Sequence, residues 1–219
     1  MSYKLNGQTT EGKIHSDLCP RERIKLILEE YIAHPLSLEG FKYYKSQSKF
    51  RRDIGPFRQE ITISKDKWNR GNETCAFWLI LFVYAKDYKK WHTLNYNKLP
   101  MNDIVFAEYH YHIATWTSKF GKGKYDLSVQ NNLEVIEEII LNLKQIAIPL
   151  LDNYSDYERA ADLLLLSESY GFISKIFDFY TIIGEPKKAK GSLQKAKSYL
   201  IKQTNCSHLL LEIEEREKH

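Results

Sequence analysis

The stretch that decides the fold is Pro56–Ser64, PFRQEITIS. Phe57, Ile61 and Ile63 fall on one side of a two-residue period, Arg58, Glu60 and Thr62 on the other, the signature of a strand with one face in a core and one toward water. Gly55-Pro56 ahead of it is a turn signal, and KFRRDI before the turn alternates in the same way, so the pair is expected to form an antiparallel hairpin. Upstream, GFKYYKS is short and polar on one side. Downstream, Ala76–Tyr84 is apolar almost throughout, as expected of a central strand with both faces partly covered. A strand is also expected over about Ile104–Trp116, IVFAEYHYHIATW, with a short helix over about Asp87–His92 between the two. Connections among the first strands are too short for crossover helices, which leaves antiparallel pairing.

On either side of this block the period is helical. Pro20 suits a first helical turn, with Ser16 or Asp17 nearby as cap; Ile24, Ile27, Leu28, Tyr31 and Ile32 form a stripe, and Pro35 is expected to end it. After FGKGKYDLS, Asn131 and Glu134 resemble a capping box, and Leu133, Ile136, Ile140, Leu143 and Ala147 follow at helical spacing up to Pro149. A further helical region spans about Asp156–Ile183, broken near Gly171, and another runs from Pro186 to about Gln203 with Leu193, Ala196, Tyr199 and Leu200 inward. One copy of this last hairpin does not make a solenoid. The class is α+β: an N-terminal helix, an antiparallel sheet of about four to five strands, then C-terminal helices packed on the sheet or forming a helical extension. The expected division is a flexible leader over 1–17, an α+β domain over 18–152 and a helical region over 153–219.

With 219 residues, 43% of them hydrophobic, the chain can bury a sizeable core, and a formal net charge of +4 marks neither a polyanion specialist nor an acidic tail protein. Cys19, Cys75 and Cys206 are odd in number and far apart, which reads as a reducing compartment. The opening MSYKLNGQTTEGK is not a secretion signal, and the longest apolar run, CAFWLILFVYA, is about half a membrane span. A cytoplasmic protein without membrane association is expected.

The succession LEGFKYYKSQSKFRRDIGPFRQEITISKDKWN, an apolar strand, then YDLSVQNNLEVIEEIILNLKQIAIPLLDNYSDYERAADLL resembles a bacterial domain-of-unknown-function family, DUF4304. The points of resemblance are Gly40-Phe41, Lys65 or Lys67 before Trp68, and Ile148-Pro149. They cover roughly Leu36–Leu165 and imply the same α+β layout, without an activity.

Two clusters carry candidate chemistry. In Glu108-Tyr109-His110-Tyr111-His112 a strand period puts Glu108, His110 and His112 on one face, with Phe106 and Trp116 flanking them. Alternate imidazoles about 7 Å apart can begin a metal site or an acid–base centre, but a third ligand is missing, so no metal or cofactor is assigned. The bland alternative is a solvated sheet face. The second cluster is charge: between Phe41 and Arg70 nine basic residues face three acidic ones. Arg51 and Arg58 flank the Gly-Pro turn on what is expected to be one outer face, interleaved with Tyr43, Tyr44, Phe50 and Trp68, a mixture also used to hold single-stranded nucleic acid. Basic edge strands equally serve to discourage edge-to-edge pairing. Phosphate-loop, dinucleotide, nucleophile-elbow and zinc-protease signatures are absent, which weighs against an enzyme. The expected function is a non-catalytic interaction protein of the bacterial cytoplasm, immunity-like in kind, contacting a protein partner through Glu108, His110, His112, Trp116, Arg51 and Arg58. Nucleic-acid association through the basic hairpin and a metal-dependent enzyme built on His110 and His112 are the alternatives; the sequence does not fix an oligomeric state.

Overall fold

The computed structural model describes residues 12–71, 73–120, 123–129 and 131–218. It is α+β, and its chain divides into two compact units. The first runs to Val83 and resumes over Phe106–Leu151; the second holds Tyr84–Val105 and the chain from Asp152 onward. The C-terminal helical region therefore includes a segment from the middle of the sequence, which local patterning alone does not reveal.

The first unit is built on a sheet of strands β1 (Lys42–Tyr44), β2 (Lys49–Ile54), β3 (Phe57–Lys65), β4 (Ala76–Ala85) and β5 (Ile104–Tyr109) in that order, with β6 (Tyr125–Asp126) also paired to β4. The last residues of β4 and the first of β5 belong to the second unit. β2 and β3 form the hairpin that PFRQEITIS predicts, in the register Lys49↔Thr62 to Ile54↔Phe57. Gly55, at φ +51°, supplies the left-handed turn residue a two-residue hairpin loop needs. Phe50, Phe57, Ile61, Ile63, Leu79, Leu81 and Val83 alternate into the core and are buried there.

Helical stripes complete this core. Helix α1 (Pro20–Ile27) does not stop at Pro35: it passes through a π-helical segment, Leu28–Ile32, into α2 (Ala33–Ser37), and Ile24, Ile27, Leu28, Ile32 and Leu36 are buried along it. The expected break is wrong because a wider turn ahead of the ring relieves the clash and lost hydrogen bond that proline imposes on a regular helix. Pro149 is passed in the same way, through α4 (Asn132–Asn142), a π segment over Leu143–Ala147 and α5 (Ile148–Asn153). The cap at the start of α4 is as expected: Leu133 N–H donates to Asn131 Oδ1 and Asn131 Nδ2 to Glu134.

The N-terminal segment from Gly12 is tied to this unit by a buried guanidinium. Arg23 is 2% exposed and meets neutral acceptors: its Nε donates to the Ile14 carbonyl (2.8 Å), and Nη2 to the Leu127 carbonyl (2.9 Å) and Asn132 Oδ1 (2.8 Å). Ile14 N–H donates to the same Asn132 oxygen, and Asn132 Nδ2 to the same Leu127 carbonyl. Ile14 is itself buried. Of the stretch read as a leader, residues 1–11 lie outside the described residues.

In the second unit, α3 (Tyr88–Tyr96), α6 (Tyr157–Leu166), α7 (Ile173–Ile182), α8 (Pro186–Leu200) and α9 (Ser207–Glu217) form a helical cluster. Asp156 caps α6 by accepting from Arg159 N–H, and the break expected near Gly171 is a 3₁₀ turn over Tyr170–Phe172. Ala189, Leu193, Ala196 and Leu200 of α8 are buried, while Tyr199 stays partly exposed against Tyr170. Among the described residues no helix is long and apolar enough to cross a membrane.

Replacing Arg23 by Met leaves the Ile14 and Leu127 carbonyls short of a buried donor. The expected cost is about 3 kcal/mol or more of unfolding free energy, read from urea denaturation followed by circular dichroism. A loss below about 1 kcal/mol would show that water or a local shift replaces the guanidinium.

Candidate functional site

The six residues singled out in the sequence are divided among three settings. Strand β5 ends at Tyr109, and His110–His112 form a 3₁₀ turn, so Glu108, His110 and His112 do not share one strand face as the two-residue period predicts. The cause is tertiary. Farther along β4, β6 is the paired strand, joined through Ala76↔Asp126 and Phe77↔Tyr125, and β5 has to leave before it reaches that position.

His110 fills the gap left between the two strands. Leu79 N–H, on β4, donates to His110 Nδ1 at 3.2 Å, with the Leu79 carbonyl oxygen 3.3 Å away. The imidazole thus stands in for a missing strand partner. It is 3% exposed, stacked on Tyr125 (5.3 Å between centroids) and met edge-on by Trp116 (5.1 Å), whose Nε1–H donates to the Tyr125 hydroxyl at 3.0 Å. Burial lowers the His110 pKa to about 4, the Leu79 backbone pulling weakly the other way, so the ring is neutral at physiological pH. His110 and Tyr125 are buried, and Trp116 covers them as a half-buried ring. His112, in contrast, is exposed and bonded to Glu108 Oε1 at 2.7 Å.

Arg51 and Arg58 share the outer face of the hairpin, as expected, but each has an acid opposite it in the register. Arg51 lies across from Glu60 and Arg58 across from Asp53. Arg51 reaches Glu60 Oε1 with Nε (3.0 Å) and Nη2 (2.9 Å), Lys49 takes Glu60 Oε2 at 2.8 Å, and Arg58 Nε donates to Asp53 at 3.0 Å. Arg51 also lies over the Tyr44 ring, 4.8 Å from its centroid. Three of the nine basic residues that motivated a polyanion site, Lys49, Arg51 and Arg58, therefore share two carboxylates and are locally compensated.

Beside this charged strip the outer face turns apolar. Along β4 the alternation that buries Phe77, Leu79, Leu81 and Val83 puts Trp78, Ile80 and Phe82 on the opposite face, where each is half-buried. An open face of an antiparallel sheet ordinarily carries polar residues at such positions. The apolar run hides this feature in the sequence, because a strand without polar residues has no visible phase. At the end of this row, Trp78 and Trp68 line a groove of about 400 Å³ with Lys65, Lys67, Asp66 and Lys124. Trp68 is 64% exposed with Lys67 Nζ 5.0 Å from its ring, and Lys124 pairs with Asp66 at 2.7 Å.

Among the described residues no three His, Cys, Asp or Glu side chains are grouped to hold a metal. Cys75 is buried and its thiol is pushed up to about 11 by burial. Comparison with known proteins yields no match: no family model, curated protein or solved structure is significantly similar to this chain.

The depressed His110 pKa sets a pH dependence. Between about 6.5 and about 4 the unfolded chain binds a proton at this ring that the folded chain does not, so stability is level above that window and falls as pH drops through it. The drop amounts to up to about 3 kcal/mol. Urea midpoints at pH 7 and pH 4.5, compared between the wild type and His110→Gln, are expected to show a smaller acid-induced loss in the variant.

Proposed function

We propose that the protein is a non-catalytic interaction protein whose contact surface is the open face of the first unit's sheet. The observation that carries this is the outward row Trp78, Ile80 and Phe82 on β4, large apolar side chains that are only half-buried beside the ion-paired strip of Arg51, Glu60, Arg58 and Asp53. A protein-binding patch joins such an apolar, aromatic centre to a polar rim that fixes register and excludes wrong partners. Glu108 and His112 extend that rim as an exposed pair. His110 braces β4 from within, and neither it nor the half-buried Trp116 packed on it belongs to this contact surface. An immunity-like protein of the bacterial cytoplasm is the specific form of this proposal, suggested by the small α+β build and the absence of catalytic sequence signatures.

The tagged chain, purified from the lysate of its own host, is expected to bring down one partner at stoichiometric level. Ile80→Arg should abolish that recovery and leave the thermal midpoint within a few degrees of wild type. A wild-type chain that consistently elutes alone, or an Ile80→Arg chain that keeps its partner, would overturn the assignment.

Nucleic-acid association is the second proposal, favoured by the Trp68–Trp78 groove with its three lysines rather than by Arg51 and Arg58. It requires that an oligothymidylate quench tryptophan fluorescence with an affinity that falls steeply with salt. Trp68→Ala combined with Lys124→Glu should remove that quenching, whereas Arg51→Glu with Arg58→Glu should leave most of it. No quenching at low salt would dispose of the idea.

A further inference from the structure

The second unit contains a cavity of about 330 Å³ with a buried lysine in its wall. Tyr88, His92 and Arg216 in its wall belong to a buried polar network. Asp178, fully buried, accepts from the hydroxyls of Tyr88 and Tyr96, both at 2.6 Å, and from Arg216 Nη2 at 3.1 Å. Arg216 Nη2 also donates to His92 Nε2 at 3.2 Å, and His92 Nδ1–H donates to the Lys98 carbonyl at 2.8 Å, so both imidazole nitrogens are engaged. These groups are bonded chiefly to one another.

Lys175 is different. It is 8% exposed and its Nζ donates to one acceptor, Asn102 Oδ1, at 2.6 Å. An ammonium carries three N–H donors, and burying it beside a neutral amide rather than a carboxylate is unfavourable. The carboxylates around it are Asp103, Glu212 and Asp178; none approaches Nζ within ion-pairing distance, and Asp178 is already neutralised by Arg216. Burial draws the lysine pKa down to about 8, against the pull of those three acids, so about a tenth of the amines are unprotonated at pH 7. The same cavity is lined by Ser174, whose hydroxyl donates to Glu212 Oε2, and by Leu99, Met101 and Phe172, of which Leu99 and Met101 stand exposed. A desolvated amine, a hydroxyl–carboxylate pair able to pass a proton and an apolar rim are thus gathered at one opening.

We propose that this cavity takes a small carbonyl compound and holds it reversibly as an imine on Lys175 Nζ. The nitrogen lone pair adds to the carbonyl carbon while the C=O π pair moves to oxygen; one proton of the resulting ammonium is relayed through the Ser174–Glu212 pair to that oxygen, giving a neutral carbinolamine. The remaining N–H proton follows the same path to the hydroxyl, the C–O bond breaks with departure of water, the C=N bond forms and the pair is left unchanged; no oxidant or reductant takes part. The volume, at the low end for ligand cavities, limits the compound to a short chain or a single ring. The proposal is independent of the sheet face, which lies in the other unit.

The test is reductive amination of the full chain with propionaldehyde and cyanoborohydride at pH 7, each lysine followed by peptide mapping. Lys175 is expected to be modified about tenfold faster than any other lysine, with a rate that rises through a midpoint near pH 8. The map separates it from the terminal α-amine, which titrates in the same range. Lys175→Arg should remove the fast lysine phase and leave the slow surface reaction unchanged. Modification that simply follows exposure, with Lys175 among the slowest, or a fast lysine phase that survives in Lys175→Arg, would overturn the proposal. The wild-type kinetics decide the matter even if the variant misfolds.

Discussion

Arg23 carries a guanidinium into the interior of the first unit and shares it among the Ile14 carbonyl, the Leu127 carbonyl and Asn132, residues up to 109 positions away. Burial draws its pKa down, with Cys75 and Asp126 opposing. Each of its partners is also bonded to another, so the N-terminal segment, α1, the turn after β6 and the start of α4 meet at one polar knot. A buried network of this kind is worth having only when every member is satisfied, and here that condition fixes where β6 must lie. Asp126 on β6 accepts from Cys75 N–H and from Ser128, continuing the same chain of bonds toward β4.

The position of β6 in turn decides the fate of the histidines. Because β6 claims one end of the β4 edge, β5 has to part from that edge at Tyr109, and an imidazole occupies the interval. A residue type associated with metals and proton transfer is here a hydrogen-bonding plug held by aromatic rings. Its neighbour two positions on, His112, remains at the surface with Glu108. On the face of β4 opposite the buried Leu79, Leu81 and Val83 stand Trp78, Ile80 and Phe82.

The hairpin, the central strand, the cap at Asn131 and the break near Gly171 were legible because each rests on contacts between residues close in sequence. The end of β5 was not, since the alternation IVFAEYHYH continues past the point where pairing stops and the competing strand is more than a dozen residues away. Nor was the pairing of Arg51 and Arg58 with acids, which depends on a register that counting charges ignores. Lys175 and Asp178 did leave a signal: two charged residues lie at buried phases of the otherwise apolar helix around Ile173, Ile176, Phe177 and Phe179. The joining of Tyr84–Val105 to the C-terminal helices has no local trace at all.

The two prolines within helices leave a mark on the pattern of burial. Across each, the buried positions lengthen from steps of three and four to successive steps of four: Leu28, Ile32, Leu36 in one case and Leu143, Ala147, Leu151 in the other. Each π turn accommodates one surplus residue, and a surplus residue rotates everything after it by about 100° relative to an unbroken α-helix. Leu36 and Leu151 owe their inward aim to that rotation, so an alignment that carried a uniform helical phase across either proline would assign the wrong face to the final turns of both helices.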